Sequence, residues 1–236
     1  GRFRYNTYMA KEDRPITGKW GWVEEIISRP RHTGTAVALI VLIWHSLTAG
    51  HSILIAFSLA AAWLIGSVGG GHYQTIAEYL FPQRTKKLSK NRSWASVLIG
   101  GWFCALAIAV VLEGPNAILD TAYLLIIPTC IQYFFAKIGC YIFGCCGWAE
   151  KYNQLKKVIP LQILEASIDL TLGLFLIGLI ARNISPIVII TIFFTFHGFQ
   201  RVMSRFGRGQ PLSRILFLPD AGVLSCVGIL LWVATF

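Results

Sequence analysis

Residues 160–200 read PLQILEASIDLTLGLFLIGLIARNISPIVIITIFFTFHGFQ, and this stretch decides the fold class. Its two apolar blocks, 160–181 and 184–200, are separated by a short turn around Arg182. A helix needs about 20 mostly apolar residues to cross a hydrocarbon layer of roughly 30 Å, and both blocks reach or approach that length. The stretch therefore predicts a pair of transmembrane helices.

Further apolar blocks of this kind occur along the 236 residues, at 34–49, 52–69, 94–112, 118–136 and 213–235. Charged residues make up 14% of the chain, whereas a soluble domain usually has about 25%. A disordered tail and a secreted disulfide scaffold are thereby excluded. We predict an all-α integral membrane bundle of about seven transmembrane helices, with a basic N-terminal segment at 1–33 and one membrane domain at 34–236.

Basic residues are distributed unevenly between the two sides of the predicted bundle. Twenty of the 21 Lys and Arg precede the first span or follow spans two, four and six, and only Arg182 lies on the other side. The positive-inside rule then places the N-terminus in the cytoplasm and the C-terminus outside. The net charge of +10 indicates contact with anionic lipid, and nucleic acid is not an expected partner. The expected location is the plasma membrane, or the inner membrane of a bacterium.

Residues 1–33 allow two interpretations. Trp20 and Trp22 predict an interfacial helix near 20–28, with the indole rings at the level of the lipid headgroups. The alternative is an ordered tail that packs on a partner.

Three short motifs lie on the basic side of the bundle. Residues 137–148 read KIGCYIFGCCGW and close span four, residues 159–166 read IPLQILEA and open span five, and residues 197–211 read HGFQRVMSRFGRGQP and follow span six. The third motif places Arg201, Arg205 and Arg208 on one helix face. Ionisable groups at a membrane edge are costly to bury and are functional candidates for that reason.

Together these motifs resemble the prolipoprotein diacylglyceryl transferase family over roughly residues 52–236. The family's signature at the end of span four begins with an arginine and a glycine frame, which correspond here to Lys137, Gly139 and Gly144. The sequence IPLQILE at 159–165 matches its entry to span five, and Arg201 matches the arginine after span six. The resemblance implies a seven-span bundle that binds an anionic, phosphatidylglycerol-like lipid through its phosphate. The implied phosphate-binding residues are Lys137, Arg201, Gln162, Gly139 and Gly144.

The chain departs from the family at positions that handle protons. The signature's asparagine and acid are Cys140 and Cys145 here, the histidine of span three is Ile99, and the acid after the last motif's arginine is Arg205. The family's reaction, attack of a thiolate on a glyceryl carbon, needs an acid–base group. The candidates to replace the missing acid–base group are His197 and His72, the second of which follows three glycines. The candidate catalytic residues are Cys140, Cys145, Glu165 and His72.

Each of these residues also has a structural interpretation. Packing of small side chains explains the cysteines, a packed or interfacial position explains the histidines, and Glu165 is expected to be a buried hydrogen-bond partner of Lys137 or Arg201. The run of Cys140, Cys145 and Cys146 does not have the spacing of a metal site, so neither a metal nor another cofactor is expected.

Two functions therefore remain open, and the sequence does not decide whether the protein is an enzyme. The first is a transferase-like protein that binds phospholipid and transfers a lipid group or acts on a thiol. The alternative is a pseudoenzyme, a non-catalytic subunit of a larger membrane complex with other membrane subunits as partners. Orientation is open as well, because the family's signature faces outward whereas the charge count, which we favour, places it inside.

Overall fold

The computed structural model describes residues 30–80, 94–142 and 152–210. Within these ranges the chain forms α-helices and no strand. The helices are α1 Pro30–Thr48, α2 Ile53–Leu80, α3 Trp94–Glu113, α4 Ala117–Ile142, α5 Asn153–Val158, α6 Leu161–Ala181 and α7 Pro186–Gly207. The predicted all-α class is confirmed.

Three of these helices, α4, α6 and α7, are long and apolar enough to cross a membrane. The apolar parts of the first three helices are shorter, at 33–48, 53–69 and 99–113. The predicted count of seven spans is therefore not supported, because the described residues supply three full-length ones. The last predicted span, 213–235, and the segment before residue 30 lie outside the described residues.

Prolines mark the starts of several helices, and residues with a left-handed backbone conformation follow the ends of several. Helices α1 and α7 begin with Pro30 and Pro186, and Pro160 precedes the first residue of α6. A proline suits a first turn because its missing N–H has no partner there in any helix. Shortly after the ends of α1, α3, α6 and α7, a residue with positive φ turns the chain: Gly50, Gly114, Asn183 and Gly209.

Helix α4 is the centre of the bundle and packs against α1, α3, α6 and α7. The most extensive pairing is that of α2 with α3. There, a Cβ added to Gly66 would collide with the carbonyl oxygen of Gly100, so the two backbones approach more closely than any larger residue allows.

The buried face of α4 changes from apolar to polar along the helix. Its middle, with Leu124, Leu125 and Ile126, belongs to the hydrophobic core, whereas the last turns bury Gln132 and Lys137. The core therefore lies towards one end of the bundle, and a polar interior lies towards the other.

Pro128 interrupts the backbone hydrogen bonding inside α4. It cannot donate to the carbonyl of Leu124, four residues earlier. His45 of α1 hydrogen-bonds to the backbone of Leu124 and packs its ring 5.3 Å from that of Tyr123. The neighbouring helix thus replaces the partner that the proline removes.

Candidate functional site

The charged side chains of the interior come together where three helices meet. The carboxyl-terminal turns of α4 and α7 lie beside the amino-terminal turns of α6, because α6 runs opposite to the other two. Lys137, Glu165 and Arg201 are each at most 5% exposed. We call these three residues, together with Asp169, His197, Ser204 and Arg208, the charged cluster. It has an outer layer near the helix ends and an inner layer one turn deeper.

Glu165 is the hub of the outer layer. Its Oε2 accepts a hydrogen bond from Lys137 Nζ at 2.7 Å, and Arg208 Nη2 lies 2.8 Å from Oε1 and 3.0 Å from Oε2. Ser204 donates its hydroxyl to Oε1. Gln200 Nε2 donates to the backbone carbonyl of Glu165 at 3.0 Å. One carboxylate therefore joins three helices through charge-assisted hydrogen bonds, which are stronger than neutral ones.

The inner layer contains a second acid, Asp169, which is fully buried. His197 Nδ1 lies 3.5 Å from Asp169 Oδ1, and the other ring nitrogen, Nε2, lies 3.4 Å from Arg201 Nε. The guanidinium of Arg201 is stacked 4.0 Å above the centroid of the Tyr133 ring. Helices α4 and α6 contribute to both layers at a spacing of four residues, with Tyr133 and Lys137 on α4 and Asp169 and Glu165 on α6, so the layers repeat along one face of each of these helices.

Aromatic rings connect the inner layer to the hydrophobic core. The ring of His197 packs against Tyr133, with centroids 4.6 Å apart, and is stacked on Phe193 at 5.3 Å. Phe193 is in turn stacked on Trp102, whose indole donates to Thr129 Oγ1 at 2.9 Å. Because rigid aromatic neighbours surround His197, its ring has a fixed orientation.

The described part of the cluster has more positive than negative charge. It holds three cations, Lys137, Arg201 and Arg208, and two carboxylates, Glu165 and Asp169. Burial of a charge costs several kcal/mol per ion unless an opposite charge lies close, so these cations favour the binding of an anion beside them. The side chain of Arg208, at 19% exposed, is the most accessible member of the Lys137–Glu165–Arg208 group.

The structure brings together some of the predicted site residues. The expected pairing of Glu165 with Lys137 is confirmed, and Arg201 lies in the inner layer of the same cluster. Gln162 is buried in the first turn of α6, while Gly139 and Cys140 are buried near the end of α4. The predicted residues Gly144 and Cys145 lie outside the described part of the chain. His72 is in α2, and its side chain is also outside the described set.

Sequence reasoning missed Asp169, Tyr133, Gln200 and Ser204. A signal for Asp169 was present, because an acid four residues after Glu165 in an apolar span lies on the same helix face. Ser204 and Arg208 show the same spacing on α7.

No group of His, Cys, Asp or Glu side chains in the residues that the structure describes has the arrangement of a metal site. No family model, curated protein or solved structure matches the chain. The geometry of the charged cluster, whose described residues include three cations and two carboxylates, therefore carries the functional conclusion.

Proposed function

We propose that the protein is a seven-span membrane protein that binds the phosphate of an anionic phospholipid at the charged cluster. The observation that carries this proposal is the burial of three cations against two carboxylates where α4, α6 and α7 meet. A phosphate diester carries a negative charge that these cations attract, and a lipid already lies in the plane of the membrane.

The chemistry of the cations suits a phosphate. Arginine offers a planar fork of N–H donors that matches two phosphate oxygens, and lysine adds a compact point charge. Arg208 is partly exposed near the end of α7, which is where a headgroup would approach. Glu165 holds both Lys137 and Arg208 in place with distances of 2.7–3.0 Å.

The resemblance to diacylglyceryl transferases supports the same assignment. Lys137 and Arg201 occupy positions that hold the lipid phosphate in that family, and both are buried in one cluster here. The plasma-membrane location, the cytoplasmic orientation of the basic loops and the count of seven spans are parts of the proposal. A transfer step or thiol chemistry would draw on Cys140, which is buried one turn beyond Lys137.

Native mass spectrometry of the gently solubilised protein tests the proposal. The wild type is expected to retain phosphatidylglycerol in preference to phosphatidylcholine. Lys137→Met removes one of these cations and should lower phosphatidylglycerol occupancy by about tenfold, the effect of about 1.4 kcal/mol in binding. The matched control is Arg182→Gln, which removes an exposed cation from the far end of α6 and should leave occupancy unchanged.

Equal retention of the two lipids, or equal effects of the two variants, would contradict the proposal. Stoichiometric co-purification of other membrane proteins would favour the alternative, a non-catalytic subunit. In that case the lipid preference decides whether the subunit keeps a lipid site.

A further inference from the structure

The contacts of His197 determine which of its ring nitrogens carries the proton. Arg201 Nε always bears a hydrogen and donates towards His197 Nε2 at 3.4 Å, so Nε2 is the acceptor. The proton of the neutral ring is then on Nδ1, which lies 3.5 Å from Asp169 Oδ1. Asp169 Oδ1 is therefore the atom placed to accept from Nδ1.

The pair formed by Asp169 and His197 is buried. The side chains of Asp169 and His197 are each 1% exposed. Neither carboxylate oxygen of Asp169 has a hydrogen-bond partner among the described residues, and His197 is the basic side chain that they place within 4 Å of it. An isolated buried carboxylate is costly, so Asp169 favours the tautomer with the proton on Nδ1.

We propose that Asp169 and His197 are positioning residues that hold Arg201 in the orientation that binds the lipid phosphate. This inference rests on the proposed function. Asp169 selects the tautomer of His197, and His197 Nε2 then accepts from Arg201 Nε, while the ring of Tyr133 supports the guanidinium from one face. The contact uses Nε, so His197 does not occupy the terminal nitrogens that form the phosphate-binding fork.

The proposal predicts that Asp169→Asn changes anion binding in the direction opposite to that expected from charge alone. Removal of a negative charge from a cationic site should tighten anion binding if only Coulomb attraction matters. In the positioning mechanism, the amide can donate to Nδ1 and stabilise the tautomer with the proton on Nε2. That tautomer presents a hydrogen to Arg201 Nε–H, and the hydrogen bond from Arg201 Nε to His197 is lost. Binding should therefore weaken, by about tenfold for one lost charge-assisted hydrogen bond.

The experiment is a titration of phosphatidylglycerol into phosphatidylcholine nanodiscs that contain the full chain. Asp169→Asn and His197→Asn, which lacks an atom at the Nε2 position, should each weaken binding by about tenfold. His197→Gln places an amide at that position, and its oxygen can accept from Arg201, so binding should stay within about threefold of wild type. In an Arg201→Met background, Asp169→Asn should add less than about a threefold further loss, because both act through one group.

Nitrogen-15 NMR of the labelled histidines gives a readout that does not depend on lipid. The His197 signal, identified by its loss in His197→Gln, should show the proton on Nδ1 in the wild type. A proton on Nε2 would overturn the proposal even if Asp169→Asn fails to fold.

The outcomes also separate the two proposals. A wild type without preference for phosphatidylglycerol defeats the proposed function. Normal preference together with unchanged or tighter binding in Asp169→Asn defeats only the positioning mechanism, and so does full additivity in the Arg201→Met background.

Discussion

Replacement of Glu165 by Gln is the sharpest perturbation of the charged cluster. The carboxylate accepts from Lys137 at 2.7 Å, from Arg208 at 2.8 and 3.0 Å, and from the hydroxyl of Ser204. Gln has the shape of Glu but carries no charge. Its NH₂ group is a hydrogen-bond donor, and it would lie among side chains that are themselves donors. Lys137, which is 4% exposed, would then be a buried cation beside Arg208 with no carboxylate between them.

The loss of stability follows from this burial. Removal of one partner of a buried ion pair costs about 3–5 kcal/mol, because the remaining charge is left uncompensated. For a chain of this size, such a loss corresponds to a decrease in Tm on the order of 10 °C. The tryptophan fluorescence of the protein in phosphatidylcholine nanodiscs reports the unfolding.

The same variant should depend on anionic lipid for its stability, because a phosphate can take the place of the lost carboxylate between Lys137 and Arg208. The described cluster changes from an excess of one positive charge to an excess of two. Phosphatidylglycerol should therefore restore part of the lost Tm, since a ligand that binds only the folded state stabilises it by RT ln(1 + [L]/Kd). A lowered Tm that anionic lipid raises again indicates a site that binds an anion.

The matched control is Asp120→Asn, which removes an exposed acid from the other end of α4. It should change neither Tm nor its response to lipid beyond 1–2 °C, as is usual for surface substitutions of about ±0.5 kcal/mol. If Glu165→Gln has the same Tm as the wild type, the carboxylate does not hold the cluster together. If it is destabilised but phosphatidylglycerol and phosphatidylcholine act alike, the anion site is refuted.

Three further predictions concern the orientation, the packing and the chemistry of the protein. A single cysteine engineered near Lys87 should resist an impermeant label in intact cells, because the proposed orientation places the basic segments in the cytoplasm; rapid labelling would reverse the orientation. Gly66→Ala should lower Tm by several degrees, since its Cβ would collide with the carbonyl of Gly100, whereas Gly69→Ala, which meets open space, should not. The protein should fail to complement a conditional strain without its own diacylglyceryl transferase, because the acid–base groups of that reaction are replaced; growth with modified lipoprotein would disprove this.

Several helix boundaries could be predicted because local chemistry determines them. The blocks 94–112 and 160–181 became Trp94–Glu113 and Leu161–Ala181, within a residue or two. A proline begins the second, and Gly114 and Asn183 turn the chain after the two ends. The span predicted at 52–69 ends at Gly69, whereas α2 continues through the glycines at 69–71 to Leu80. Glycine permits a turn but does not require one.

The charged cluster was predictable only in part. The motifs identified Lys137, Glu165 and Arg201 because charged residues are rare near membrane spans. Asp169 was overlooked because its role depends on which face of α6 meets α7, and that follows from tertiary packing. The partner of His197 could not be assigned for the same reason, although its spacing of four from Arg201 is visible in the sequence.

The pairing of charges across three helices has a consequence for biogenesis. Lys137 and Glu165 are 28 residues apart in the chain, and Glu165 and Arg208 are 43 apart. A Lys, Arg or Asp at the centre of a single helix opposes membrane insertion by about 2.5–3.5 kcal/mol, and less near the helix ends. During synthesis, the two acids of α6 precede Arg201 and Arg208 of α7 by 32 to 43 residues. Partitioning of α4 and α6 into lipid is therefore easier when they enter together with α7.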